Sequence, residues 1–159
     1  IIFENAAIDS ADGVRTFYRL KENDDQNVPE WYDLLGSFSK EAVLRQRDRI
    51  PNFDEYLISE EIRCLSLSSL LQKHGIAKVD LLHIDAEGHD YEIIKSIPFA
   101  SVKPAMILYE HRLLSAEDVV ACQAFLRKQG YTLIQSSEHN TFAFLWKTLL
   151  RNTLRAVFS

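Results

Sequence analysis

The chain has 159 residues, of which 47% are apolar, and it carries a formal net charge of −5 at pH 7. This length and apolar content suit one domain with a substantial core. The acidic balance argues against a nucleic-acid surface, which normally carries a basic face. No apolar run approaches the length of a membrane span, and no signal peptide is visible. Two separated cysteines in apolar surroundings, Cys64 and Cys122, predict buried reduced thiols and a cytoplasmic protein.

The first part of the chain is predicted to contain strands, a polar loop and helices. IIFENAAI is typical of a short strand, SADG of a turn, and VRTFYRL of a half-exposed strand. KENDDQNVPEW predicts a surface loop. SKEAVLRQRDRI predicts a helix that begins after the N-cap Ser39 and stops at Pro51. An alternating strand through Ile62 and Cys64 then leads into a short helix that ends at Gly75.

The second part alternates apolar strands with helices. VDLLHID lacks clean alternation, which predicts a strand buried on both faces, and GHDYEIIKSI predicts a helix that Pro98 ends. PAMILYEH predicts a second buried strand. The following helix has a capping box, Ser115 and Asp118, with Gly130 past its end. YTLIQSS and TFAFLWK flank a short turn and predict a hairpin. We therefore expect an α/β fold with a mostly parallel sheet and a C-terminal antiparallel hairpin.

Acidic residues follow two of the predicted buried strands. Asp85 follows VDLLHI, and Glu110 follows AMILY. Ligands of open α/β sheets bind outside the carboxyl ends of the strands. If the two strands are parallel neighbours, their carboxylates therefore converge at one edge of the sheet. Gly88 would allow a tight turn at that edge.

Each of these residues also has a purely structural interpretation. Asp85 could cap the following helix, and Glu87 and Asp90 could complement the helix dipole. His89 and His111 could join Asp85 and Glu110 in a metal site, but the spacing matches no established metal motif. We therefore predict no metal.

The same segments resemble the FkbM family of S-adenosylmethionine-dependent methyltransferases. The relevant segments are VDLLHIDAEGHDYEIIKSI, PAMILYEH, LRKQGYTLI and NTFAF. The family typically has D-L-L-K-I-D-x-E-G at its fourth strand, then P-x-x-I-x-x-E and a G-Y segment. ENAAIDSADGVRTFY is similar to its third strand and the following G-x-x-x-F strand. The resemblance implies a methyltransferase domain over residues 1–145, with His83 in the place of the usual Lys.

The resemblance implies a Rossmann-like class I methyltransferase sheet. The glycine-rich loop and the acidic second-strand end, which hold the methionine part and ribose of the cofactor in such enzymes, have no counterpart here. No G-x-G pattern occurs, and these elements would precede Ile1. We therefore expect this chain to be the C-terminal part of the domain, with its N-terminal strands missing.

The resemblance also implies a reaction, a cofactor and a set of site residues. S-adenosylmethionine would be the cofactor, and a hydroxyl of a sugar, lipid or small metabolite would be methylated. Asp85 is the first candidate for the base, with Glu110 and His111 second. Glu87 and His89 are candidates for orienting a small-molecule or glycan acceptor. The small residues that close the predicted third strand would lie near the adenine: Asn5, Ala6 and Ala7.

The insert WYDLLGSFSKEAVLRQR has two interpretations of equal weight. It could recognise the acceptor through Trp31, Tyr32 or Ser37, or it could be a packing helix with aromatic anchors. Rival functions for the whole chain are a non-catalytic methyltransferase-like binding module that lacks the cofactor loop, and a metal-dependent hydrolase.

The tail, residues 146–159, is predicted to form an amphipathic helix. Trp146, Leu150 and Phe158 are among the residues on its apolar side, and Lys147 and Arg151 are on its basic side. This pattern fits binding to a membrane surface. It fits equally well a helix that docks on its own domain or on a second subunit through residues 146–158, which is the commoner case.

Overall fold

The computed structural model describes residues 1–22, 28–29 and 31–146. The chain divides into two compact units, Ile1–Ser66 and Leu67–Ser159, and each is a small mixed α/β unit with its own four-stranded sheet. The predicted tail helix lies, from residue 147 on, outside the described residues. No helix in the described part of the chain is long and apolar enough to span a membrane.

The sheet of the first unit has the strand order β1 (Ala7–Asp9), β4 (Leu57–Ser66), β2 (Gly13–Leu20) and β3 (Gly36–Ser37). β1 runs parallel to β4, while β2 runs antiparallel to both β4 and β3. The two long strands form a ladder from Gly13 opposite Cys64 to Leu20 opposite Leu57. The helices are α1 Lys40–Leu44 and α2 Phe53–Tyr56.

The helix predicted from Ser39 to Pro51 is shorter than expected. Ser39 is its N-cap, as predicted, because the hydroxyl accepts a hydrogen bond from the backbone N–H of Ala42 at 3.2 Å. α1 ends at Leu44, and a 3-10 turn follows at Arg47–Arg49. Residues 45–49 are all polar and offer no apolar face to the core. Most helical stability in proteins comes from such a face, so the α-helix is not continued.

The N-terminal strand is also shorter than predicted. The ladder with β4 begins only at Ala7, opposite Cys64, and residues 1–5 are not in a strand. Ile1 and Phe3 are exposed. An apolar run becomes a strand only where a neighbouring strand pairs with it, and only two residues of this run, Ala7 and Ile8, are paired. Asn5 and Ala6 therefore precede the strand and Ala7 begins it, so the prediction that these three residues close the strand is wrong.

The sheet of the second unit has the strand order β5 (Leu81–Ile84), β6 (Met106–Glu110), β8 (Asn140–Phe144) and β7 (Thr132–Gln135). β5 pairs with β6 in parallel, and β8 lies antiparallel to both β6 and β7. The predicted C-terminal hairpin is β7–β8. The helices are α3 Leu67–Lys73, α4 Asp90–Ser96 and α5 Ala116–Lys128.

The α/β class is confirmed, but the mostly parallel sheet is not. Each sheet has one parallel pair and two antiparallel pairs. Because helices were predicted between the strands, we expected crossover connections between parallel strands. Instead, β2, β3 and the hairpin reverse the chain direction and pair antiparallel. The Rossmann-like arrangement and the missing strands stay predictions.

β5 is also less buried than its sequence suggests. Leu81 is 49% exposed, and His83 is exposed as well. Alternate residues of a strand share a face, so one face of β5 is exposed and the predicted burial on both faces is wrong there.

The core of the second unit lies between its sheet and α5. Ser115 caps α5 as predicted, since its hydroxyl accepts from the backbone N–H of Asp118 at 3.1 Å. Cys122 and Leu126 on this helix are completely buried. The Tyr131 hydroxyl donates to the carbonyl of Pro104 at 2.5 Å, which fastens the start of β7 to the segment before β6. Both cysteines of the chain are buried free thiols, as predicted.

Candidate functional site

Two acids emerge side by side at the carboxyl ends of β5 and β6. The parallel ladder ends with Ile84 opposite Tyr109, and the next residues are Asp85 and Glu110. Neighbouring strands lie about 4.8 Å apart, so the two Cα positions are close. The prediction that these strands are parallel neighbours is confirmed. Asp85 is exposed and Glu110 is half-buried, so solvent or a ligand reaches this edge.

The acids at this edge influence one another. Burial raises the pKa of Glu110, and the negative charges of Asp85 and Asp90 raise it further, while Arg112 acts in the opposite direction. Burial likewise raises the pKa of Glu87, with Glu110 and Asp85 as the next largest causes. A carboxylate whose pKa is moved towards neutrality is a better proton acceptor at physiological pH.

The loop of residues 85–89 has an unusual backbone. Glu87 has φ +48° and Gly88 has φ +94°, so two consecutive residues lie in the left-handed region. The turn is closed by the backbone N–H of His89, which donates to the carbonyl of Ala86 at 3.0 Å. A non-glycine residue in this region is strained, and such residues cluster at functional sites. The loop therefore holds Glu87 in a backbone conformation that costs free energy.

Asp90, at the first turn of α4, has no exposed surface. Its Oδ2 accepts from the backbone N–H of Gly88 at 3.3 Å, and its Oδ1 accepts from that of Glu110 at 3.2 Å. Burial raises the pKa of Asp90, although these N–H groups favour its charged form.

The prediction that Asp90 only complements the helix dipole did not include this burial. The spacing of apolar residues in the sequence nevertheless indicates it. Asp90, Ile93, Ile94 and Ile97 are spaced i, i+3, i+4, i+7, the stripe of a helix that faces the core.

The histidines at this edge are held by backbone and hydroxyl groups. Nδ1 of His111 lies 3.0 Å from the hydroxyl of Thr141, which is 3% exposed on β8. The backbone N–H of His111 donates to the carbonyl of His139 at 2.8 Å. His89 occupies the N-cap position of α4 without a capping hydrogen bond from its side chain, and its Nε2 is buried. Thr141 has no signal in the sequence, because its contact depends on the pairing of β6 with β8.

The remaining candidates lie in the first unit. Asn5 is exposed, and Ala6 and Ala7 are half-buried at the start of β1. Tyr32 is only 2% exposed, and its hydroxyl donates to the carbonyl of Lys21 at 2.9 Å.

Trp31 packs against the same core as Tyr32, with the Arg49 guanidinium 4.7 Å from its ring centroid. The Ser37 hydroxyl accepts from the backbone N–H of Ser39 at 3.1 Å. For Tyr32 these surroundings favour the packing interpretation over acceptor recognition. The acceptor roles of Trp31 and Ser37 stay predictions.

The strand-end residues can attract a cationic group and can accept a proton. Asp85, Glu87 and Glu110 supply carboxylate oxygens, which attract a positive charge and accept protons. Within residues 1–22, 28–29 and 31–146, no three His, Cys, Asp or Glu side chains are arranged to hold a metal ion.

Comparison with known proteins identifies the family. A family model described as Methyltransferase FkbM domain matches residues 5–133. The match covers most of the chain and includes the 85–89 loop and both acidic strand ends, which confirms the resemblance seen in the sequence. No curated protein matches significantly, and neither does any solved structure.

Proposed function

Because the chain belongs to the FkbM methyltransferase family, we propose that it transfers a methyl group from S-adenosylmethionine to a hydroxyl group of a sugar, lipid or small metabolite. The proposal rests on the placement of Asp85 and Glu110 at the ends of two parallel neighbouring strands, within the matched residues. An acceptor hydroxyl at this edge would have a carboxylate base within reach.

When bound, S-adenosylmethionine supplies an electrophilic methyl group on a positively charged sulfonium. The residues of this chain then have two tasks. They align the acceptor oxygen with the methyl group, and they take the proton that the hydroxyl loses. Alignment requires rigid groups, and proton removal requires a base that is accessible to the acceptor.

Asp85 is the first candidate for the base because it is exposed at the tip of β5. Glu110 is the second, and its raised pKa brings it closer to neutrality than an ordinary glutamate. His111 is an alternative base, and Thr141 restricts the orientation of its ring. Glu87, displayed by the strained loop, and His89 are the candidates for orienting the acceptor.

Adenine recognition is assigned to the first unit by the family resemblance. Asn5, Ala6 and Ala7 are the candidates, because small side chains leave room for a flat ring. Trp31 and Ser37 remain candidates for contacts with the acceptor. The alternative of a non-catalytic binding module is not favoured by family membership.

The proposal is tested in the complete protein with methyl-labelled S-adenosylmethionine and a panel of methyl glycosides, glycolipids and small polyols. Cofactor binding is measured separately by calorimetry. We expect Asp85→Asn to bind the cofactor as the wild type does, with turnover at least about a hundredfold lower, since general bases contribute about 10²–10⁴-fold. Asp80→Asn is the matched control, because Asp80 is exposed and the described contact of its side chain is with Lys78.

Three outcomes separate the hypotheses. Unchanged turnover in Asp85→Asn would remove its role as the base. If the protein binds the cofactor but methylates no acceptor of the panel, the proposed acceptor class is wrong. A complete protein that binds no S-adenosylmethionine would instead favour the non-catalytic binding module.

A further inference from the structure

Asp90 is a charged group in an unusual place. Two charged side chains of the described residues are buried, Asp9 and Asp90. Asp9 is paired with the guanidinium of Arg15 at 2.6 Å, whereas the described bonds of the Asp90 carboxylate all come from backbone N–H groups. Burial of a carboxylate is unfavourable unless it is paired or hydrogen-bonded. The backbone bonds of Asp90 are therefore what allows a carboxylate at this position.

The two oxygens of Asp90 bond to two different strand ends. Oδ2 accepts from Gly88 in the loop that follows β5, and Oδ1 accepts from Glu110, the last residue of β6. One rigid carboxylate thus sets the distance between the loop that carries Asp85 and Glu87 and the peptide that carries Glu110. No apolar side chain at this position could make these two bonds.

Helix packing alone does not require an acid here. Ile93, Ile94 and Ile97 already form the buried side of α4. An apolar residue at position 90 would extend this stripe, but it would leave the backbone N–H groups of Gly88 and Glu110 without their acceptor, which is unfavourable for buried donors. The function of the carboxylate therefore lies in what it bonds rather than in how it packs.

We propose that Asp90 is a positioning residue, which holds the 85–89 loop and Glu110 at a fixed separation so that Asp85 and Glu110 face the same acceptor. The inference rests on the proposed methyl transfer for its catalytic consequence only. The charged and titratable groups that interact with Asp90 are Glu87 on the loop, Glu110 on β6 and Cys122 on α5. The Asp90 charge contributes to the raised pKa values of all three.

The first test needs no substitution and no methyl transfer. The amide protons of Gly88 and Glu110 are followed by NMR while the wild-type protein is titrated with acid. Because one carboxylate accepts from both, we expect the two amide signals to shift together, with one midpoint above that of an ordinary aspartate. Separate midpoints, or no shift at either amide, would overturn the proposal.

The second test compares Asp90→Asn with the control Asp80→Asn. The asparagine keeps the volume but presents an NH₂ group to one of the two backbone N–H donors. We expect hydrogen exchange at the Gly88 or Glu110 amide to accelerate at least about tenfold, while Asp80→Asn leaves both amides unchanged.

In the methyl-transfer reaction, replacement of Asp90 should lower turnover without weakening cofactor binding. In Asp90→Asn we expect kcat to fall about 10- to 100-fold, with the KM for S-adenosylmethionine unchanged, because a small misplacement of reacting groups costs up to about 10²-fold. If hydrogen exchange at these amides accelerates while kcat stays normal, the positioning role is wrong. If the wild type transfers no methyl group, the proposed function fails, while the shared titration of the two amides still decides whether Asp90 couples the strand ends.

Discussion

Replacement of Gly88 by alanine should destabilise the protein through two separate effects. The first is conformational, since φ +94° lies in the region that favours glycine. The second is steric, because a Cβ at this position would lie 3.3 Å from the carbonyl oxygen of Leu113, and that backbone atom cannot move as a flexible side chain can. Gly130 offers a matched control, with φ +90° and only the terminal nitrogen of Lys103 near its Cβ position, at 3.8 Å.

The difference between the two variants isolates the steric effect. An L-residue in the left-handed region costs about 1–2 kcal/mol. The lower entropy of the unfolded chain offsets about 0.4–1 kcal/mol of this. Both contributions are nearly equal at the two sites and cancel in the comparison. The 3.3 Å contact with the Leu113 carbonyl requires a shift of a few tenths of an ångström, so it adds to Gly88→Ala alone a steric cost near the lower end of the overpacking range, about 1 kcal/mol.

The free energy of unfolding is measured for both variants by urea denaturation, monitored by circular dichroism. We expect Gly88→Ala to be less stable than Gly130→Ala by about 1 kcal/mol, the lower end of the overpacking range. Equal losses would refute the close approach of the loop to Leu113. The position of the 85–89 loop would then be wrong.

Three further predictions concern single side chains of the second unit. Tyr131→Phe should lower the free energy of unfolding by about 1–2 kcal/mol, because the buried Pro104 carbonyl loses its donor; urea denaturation gives the value. Glu87→Gln should flatten the pH dependence of stability. The raised pKa makes the wild type lose stability as pH rises from the ordinary value of 4.5 through the folded pKa, and thermal unfolding across this window measures the change. Thr141→Val should cost about 1 kcal/mol and alter the tautomer balance of His111, as seen by ¹⁵N NMR, because Nδ1 loses its hydroxyl partner; an unchanged tautomer balance would contradict the contact.

Local signals in the sequence predicted the elements that local chemistry controls. α5 has the capping box at Ser115 and the glycine past its end, and both are in place. The hairpin β7–β8 follows from two alternating runs around a short turn. Strand direction and strand length were less predictable, because they depend on which strand lies alongside. β1 therefore begins at Ala7 and not at Ile1.

The candidate site was partly visible in the sequence. Acids after two apolar strands predicted the shared edge of Asp85 and Glu110, since each acid directly follows a short apolar run. The contacts of Asp90 and Thr141 were not foreseen. Thr141 meets His111 only because β8 lies beside β6, and such a long-range pairing leaves no local pattern.

The most direct test of the shared catalytic edge is a double-mutant cycle in the complete protein. Turnover with labelled S-adenosylmethionine is measured for Asp85→Asn, for Glu110→Gln and for the double variant. If the two carboxylates act on one acceptor, their effects are coupled, and the double variant loses much less activity than the product of the single losses. Losses that multiply would mean that the two acids act independently, which contradicts a common site at the ends of β5 and β6.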